Sequence, residues 1–126
     1  GFVSDPHTGP LHLPVRELTA MGVPVALGQD DIEDAYYPFG RHHLLEVAFL
    51  AAHALEAVDT AGIDLVYDAV TTTAAEVLGI EGHRLEVGGN ADLVVHAESS
   101  LRRVLAEHAA PTHVVASGAV LEGVSA

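Results

Sequence analysis

The chain contains no cysteine and no lysine. Without Cys there can be no disulfide, no thiolate nucleophile and no Cys-ligated zinc site, which fits a cytoplasmic protein. Aromatic residues make up only 5% of the sequence, so the core must be built from Ala, Val and Leu. No run reaches the ~18 apolar residues that a membrane helix needs. The opening "GFVSDPHTGP" has neither the basic nor the apolar region of a signal peptide. It also lacks an initiator Met, so the chain reads as a processed product, a tagged chain or a fragment. With no Lys, 5 Arg stand against 18 acidic residues, for a formal net charge of -13. Such a chain repels polyanions, and no basic patch offsets the repulsion, so nucleic-acid binding is excluded. Small neutral or cationic substrates remain compatible.

What is present argues for order. Hydrophobic residues are 49% of the 126 and the mean hydropathy is +0.32. That is enough apolar material for one compact unit and too much for a disordered chain.

"HLPVRELTAMG" predicts a short helix, with Pro14 at its start and Gly22 past its end. "VPVALG" predicts a short strand buried on both faces, with Pro24 at its beginning. Residues 29–41 have no periodicity and hold four acids, two Tyr, Pro38 and Gly40; they predict a loop large enough to carry function. "HHLLEVAFLAAHALEAV" is the strongest helix, with Leu44, Val47, Ala48, Ala51, Leu55 and Val58 as its apolar stripe. Glu46, His53 and Glu56 fall on the opposite side. "DLVYDAVTTTAAEVLG" predicts two helices that break near Thr71. "HRLEVGGNADLVVHA" predicts two strands about a Gly88-Gly89-Asn90 turn. "SSLRRVLAEHA" predicts a helix capped by Ser99 or Ser100, and "THVVASGAVLEG" a hairpin turning at Ser117-Gly118.

The chemistry-bearing feature is the adjacent pair Asp30 and Asp31, where the apolar run "VPVALG" ends. Nine His are present, but none forms an HxH or a helical H-x-x-x-H pair, so all nine read as structural.

Five segments, in order, resemble the C-terminal third of cytosine deaminase-like enzymes of the amidohydrolase superfamily. "RELTAMGVPVALGQDDIEDAYYPFG" resembles the last barrel strand and its acidic-aromatic-Pro loop. "LLEVAFLAAH", ending at His53, resembles the helix that follows. "TTTAAEVLGI" resembles a later helix, "VGGNADLVVHA" the return to a small β-domain, and "THVVASGAVL" the closing hairpin.

The resemblance implies an α/β fold, the C-terminal portion of a metal-dependent (β/α)8-barrel amidohydrolase plus part of its small β-sandwich domain. Residues 1–82 would be the last strand and outer helices of an incomplete barrel, and residues 83–126 the C-terminal part of the small β-rich domain. The implied reaction is hydrolysis of a C–N bond in a cyclic amidine or amide by metal-activated water. Asp30 would be a metal ligand and proton shuttle; Asp31 and Tyr36 would bind the substrate, a small heterocycle. The implied cofactor is a divalent metal, zinc or iron. Gln29 stands where the family usually has His, as in more distant amidohydrolases acting on N-substituted ring amides. The family's HxH and other His ligands are missing, so the chain alone is expected to lack activity. It should expose the edges of "VPVALG" and a face of the long helix, and so form a homo-oligomer or meet a missing N-terminal barrel portion. The alternatives are a non-catalytic remnant or standalone oligomerising module of the same fold, and an unrelated small α+β binding domain.

Overall fold

A computed structural model of the chain describes residues 13–30 and 32–121. In chain order these form α1 (Val15–Ala20), α2 (Leu44–Ala54), α3 (Thr60–Ala69), α4 (Thr72–Val77), β1 (Leu93–Val95), α5 (Leu101–Glu107), β2 (His113–Ala116) and β3 (Ala119–Leu121).

Helix α1 starts after Pro14 and stops at a left-handed glycine. Gly22 has φ +78°, its N–H reaches the Thr19 carbonyl (2.9 Å), and Val23 N–H reaches Leu18 (2.9 Å). Those two bonds satisfy carbonyls that the helix end would leave bare.

The expected strand "VPVALG" is not a strand among the described residues. Residues 23–30 carry no regular secondary structure, and Val25, Leu27 and Gln29 are half-buried between exposed neighbours, the alternation of an extended backbone. One backbone bond, Leu27 N–H to the Ala69 carbonyl (2.8 Å), ties the segment to the end of α3. The apolar composition brings only partial burial: Val25 and Leu27 are half-buried and Val23 is 43% exposed. It does not supply the lateral partner that makes an extended segment part of a sheet, and here only one face is covered.

Helix α2 forms as expected, and Val47, Ala48, Ala51 and Leu55 of the expected stripe lie in or against the core, while Leu44 does not. Leu45, Ala48 and Ala52 are its buried residues, whereas Leu44 is 49% exposed. The helix ends at Ala54, because Glu56 turns left-handed (φ 52°) and Ala57 N–H closes on the Ala52 carbonyl (2.8 Å). Val58 lies past that turn and is half exposed rather than part of the stripe.

Helices α3 and α4 break at Thr71, as the run of threonines predicts. The Thr71 hydroxyl donates back to the Tyr67 carbonyl (2.8 Å) instead of capping α4. At the start of α3, Asp59 Oδ1 accepts from Gly62 N–H at 3.0 Å. At α5 the cap is Ser100, whose hydroxyl accepts from Arg103 N–H at 3.4 Å.

The core sits between α2, α3 and α5: Leu45, Ala48 and Ala52 meet Ile63, Val66 and Val70, closed by Val104 and Leu105. Val66 is fully buried, worth about 1.5–3 kcal/mol relative to exposure. Leu27 packs on the same cluster and seats the extended segment on it.

The strands form one antiparallel sheet in the order β1-β2-β3. The β2–β3 turn falls at Ser117 (φ 51°) and Gly118 (φ 79°), the two positive φ values that a tight hairpin turn needs. The expected first strand of "HRLEVGGNADLVVHA" is absent. Instead, Asn90 N–H bonds the Gly82 carbonyl (2.7 Å) and its side-chain amide bonds the Glu81 carbonyl (2.8 Å). The glycine pair therefore closes a compact loop over residues 82–90 and does not turn a hairpin. Among the described residues, no helix is long and apolar enough to cross a membrane.

Candidate functional site

The acidic pair stands at the end of the extended segment. Gln29 faces inward and is half-buried; Asp30, next along, is exposed. This is the alternation that extended backbone imposes on neighbouring side chains. Asp31 lies outside the described residues.

Beyond it, residues 32–41 turn through bends without regular structure. Asp34 organises them: its Oδ1 accepts from the backbone N–H of Tyr36 and of Tyr37, both at 2.7 Å. Tyr36 is 91% exposed, while Tyr37 is half-buried and turned inward. Gly40 is buried under the Tyr37 ring. A Cβ there would lie 2.6 and 2.8 Å from two ring carbons and 3.4 Å from Gln29 Nε2. Only glycine lets the loop close this tightly.

The floor of the loop is Glu46, on the first turn of α2. Its side chain is only 14% exposed, so it is not on the solvent face that helical spacing assigns to it. Glu46 Oε2 accepts from Arg41 N–H (3.0 Å), and Oε1 lies 3.8 Å from Arg41 Nε. Burial first, and then the negative charge of the nearby Glu46, push the Tyr37 phenol above its ordinary 10.0, with Arg41 pulling the other way. The spacing misplaces Glu46 because a carboxylate in the first turn of a helix can reach back to the chain entering it.

His43 precedes α2 with extended backbone. Its Nδ1 is buried and has no hydrogen-bond partner among the described residues. Burial, aided by Arg41, His96 and His108, holds its pKa below the ordinary 6.5, against the pull of Glu46. His43, His83 and His96 line a concavity of about 800 Å³ between the start of α2, the α3–α4 junction and the sheet. A smaller one of about 540 Å³ lies beside Val23–Val25. Neither Asp30 nor Tyr36 lines either of them.

Residues 2–121 match the Amidohydrolase family, and the chain belongs to it. N-isopropylammelide isopropyl amidohydrolase of Pseudomonas sp. (strain ADP) is 30% identical over 121 residues, covering 95% of this chain and 30% of that protein. Pterin deaminase of Rhizobium rhizogenes is 32% identical over 112 residues, covering 86% of this chain and 24% of that protein. The crystal structure of N-isopropylammelide isopropylaminohydrolase from Burkholderia multivorans superposes with a TM-score of 0.78 at 28% identity, covering 84% of this chain and 27% of that one. 5-Methylcytosine deaminase from Klebsiella pneumoniae, solved with phosphonocytosine, gives 0.76 over 89% of this chain and 28% of that one. At 23% identity that last likeness is one of fold. The chain spans less than a third of the length of each of these relatives.

Among the described residues, no group of three or more His, Asp or Glu could hold a metal ion. Asp30 is one carboxylate, and a zinc centre takes about four ligands. The described residues therefore do not by themselves make the divalent-metal site that the family resemblance implies.

Proposed function

We propose that this chain is the C-terminal portion of an amidohydrolase that hydrolyses a C–N bond of a small cyclic amidine or amide, and that Asp30 is its reacting carboxylate. Residues 1–82 would be the closing strand and outer helices of a barrel, and residues 83–126 part of a small β-rich domain. The observation that supports this best is the position of Asp30. It is an exposed carboxylate ending an extended apolar segment seated on helices, within a family match that runs from residue 2 to residue 121. Carboxylates at the C-terminal ends of barrel strands are where the chemistry of such folds lies.

In this reading Asp30 takes a proton from the attacking water and returns it to the departing nitrogen as the C–N bond breaks. Asp31 and Tyr36 contact the heterocycle. The relatives named for N-isopropylammelide, pterin and 5-methylcytosine make nitrogen-rich rings the substrate class to test first. A divalent metal, zinc or iron, belongs to the reading with Asp30 as one ligand, and its other ligands would come from beyond the described residues.

The test is the intact mass of the protein from its native source, its metal content, and release of ammonia or amine from amino-substituted pyrimidines, pterins and triazines. A polypeptide roughly three times this length, as the 30% coverage implies, with one metal per chain and activity lost in Asp30→Asn, is the expected result. A 13.1 kDa protein without metal or activity would instead support a second reading, a non-catalytic module of the same fold. That module would pair the edge of its extended segment with another copy.

A further inference from the structure

We propose that Glu46 is a positioning residue: through Arg41 and Tyr37 it holds the loop between Gln29 and Arg41 in the form that presents Asp30. This rests on the reading of Asp30 as the reacting carboxylate. Among the described residues, the hydrogen bond and the ion pair of the Glu46 carboxylate both go to Arg41 at the end of that loop. The carboxylate accepts from Arg41 N–H at 3.0 Å and faces Arg41 Nε at 3.8 Å, and its charge bears on the Tyr37 phenol. Tyr37 lays its ring over Gly40, and the Gln29 amide nitrogen approaches the same spot. The backbone of Tyr37 is fixed independently by Asp34. A line thus runs from the first turn of α2, through the Arg41 N–H, to the adjacent Gly40, on which the Tyr37 ring and the side chain of the residue preceding Asp30 converge. A carboxylate left on the solvent side of α2 would keep its hydration. Glu46 has given most of that up and is 14% exposed, with the loop's donors in place of water.

Because Glu46 also favours the start of α2, the test must separate positioning from stability. Full-length protein is compared with Glu46→Ala, Glu46→Gln and Tyr37→Phe. Gln keeps the acceptor oxygen and loses the charge. Glu46→Ala should lower kcat by roughly tenfold to a hundredfold, the cost of a reacting group displaced by about 1 Å, with little change in KM. Glu46→Gln should recover most of the loss, and Tyr37→Phe should fall between.

A second readout needs no activity. Trypsin cuts only after Arg in a chain without Lys, and Arg41 lies in the loop. Glu46→Ala should raise cleavage after Arg41 about tenfold relative to cleavage after Arg84, as the lost charged hydrogen bonds open the loop locally. An active wild type whose Glu46→Ala variant keeps its kcat overturns the inference and leaves the proposed function standing. A wild type without hydrolase activity sinks the proposed function, and the cleavage ratio then decides the loop clamp alone. An unchanged ratio overturns the clamp in either case.

Discussion

Arg16 on α1 and Asp59 at the start of α3 meet at 2.7 Å across 43 residues of sequence. The same Asp59 oxygen caps α3 through Gly62 N–H. One carboxylate oxygen thus both starts a helix and ties α1 to it. Asp59→Ala removes both contacts and should lower Tm, while Asp59→Asn, which can still cap, should recover much of the loss. The Arg16 side chain beside it, then the Gly62 N–H, hold the Asp59 carboxyl below its ordinary 3.8. The stability this brings is present above 3.8 and is lost as pH falls through the lower folded value. Acid melting of wild type and Asp59→Asn should therefore converge at the bottom of that window.

Gly62 sits inside that junction. A Cβ there would lie 2.5 Å from Asp59 Oδ1, 2.6 Å from the Ala57 carbonyl carbon and 2.6 Å from Arg16 Nη2. Alanine is the better helix former by about 1 kcal/mol. The clash includes backbone, which cannot swing away, so Gly62→Ala should destabilise by about 1–3 kcal/mol in urea unfolding.

Glu56 makes the opposite case. It is a left-handed non-glycine residue (φ 52°) just past the C-terminus of α2. There its side chain strains the backbone, and its charge opposes the helix dipole. Glu56→Gly should raise stability by about 0.5–1 kcal/mol, measured the same way.

His43 should make the fold acid-sensitive. Its folded pKa lies below the ordinary 6.5, mainly because it is buried, with Arg41, His96 and His108 adding to the effect and Glu46 opposing it. The folded form therefore binds fewer protons than the unfolded one. The contribution is fully present above 6.5 and is lost as pH falls through the folded value. Unfolding free energies measured from about pH 7.5 to 5 should fall with acid in wild type and fall less in His43→Asn, which keeps a side chain suited to the position before a helix.

Local features were legible where one residue carries the cause. Ser100 before an apolar period gives its cap, Ser117-Gly118 gives its turn, and Thr71 marks the break between α3 and α4. Features that depend on what lies alongside were not. "VPVALG" has a strand's composition, yet pairing is a property of two segments, and among the described residues no strand lies beside it. Glu46 shows the same limit on a helix, because spacing assigns a face but not what the incoming loop does to it. The Asp30 position was visible as an acid where an apolar run ends. Gly40 and Tyr37, which shape its surroundings, carry no spacing signal and are recognisable only from the close approach of ring to backbone.

The backbone bond from Leu27 to Ala69 has a consequence in time. Among the described residues, Leu27 N–H is the donor tied to α3, while Val25, Ala26 and Gly28 have no such bond. In deuterated buffer Leu27 should keep its proton for as long as α3 holds, and its three neighbours should lose theirs almost at the rate of an unstructured peptide. Any strand that docks alongside would slow those amides, so their exchange reports whether the segment has found its neighbour.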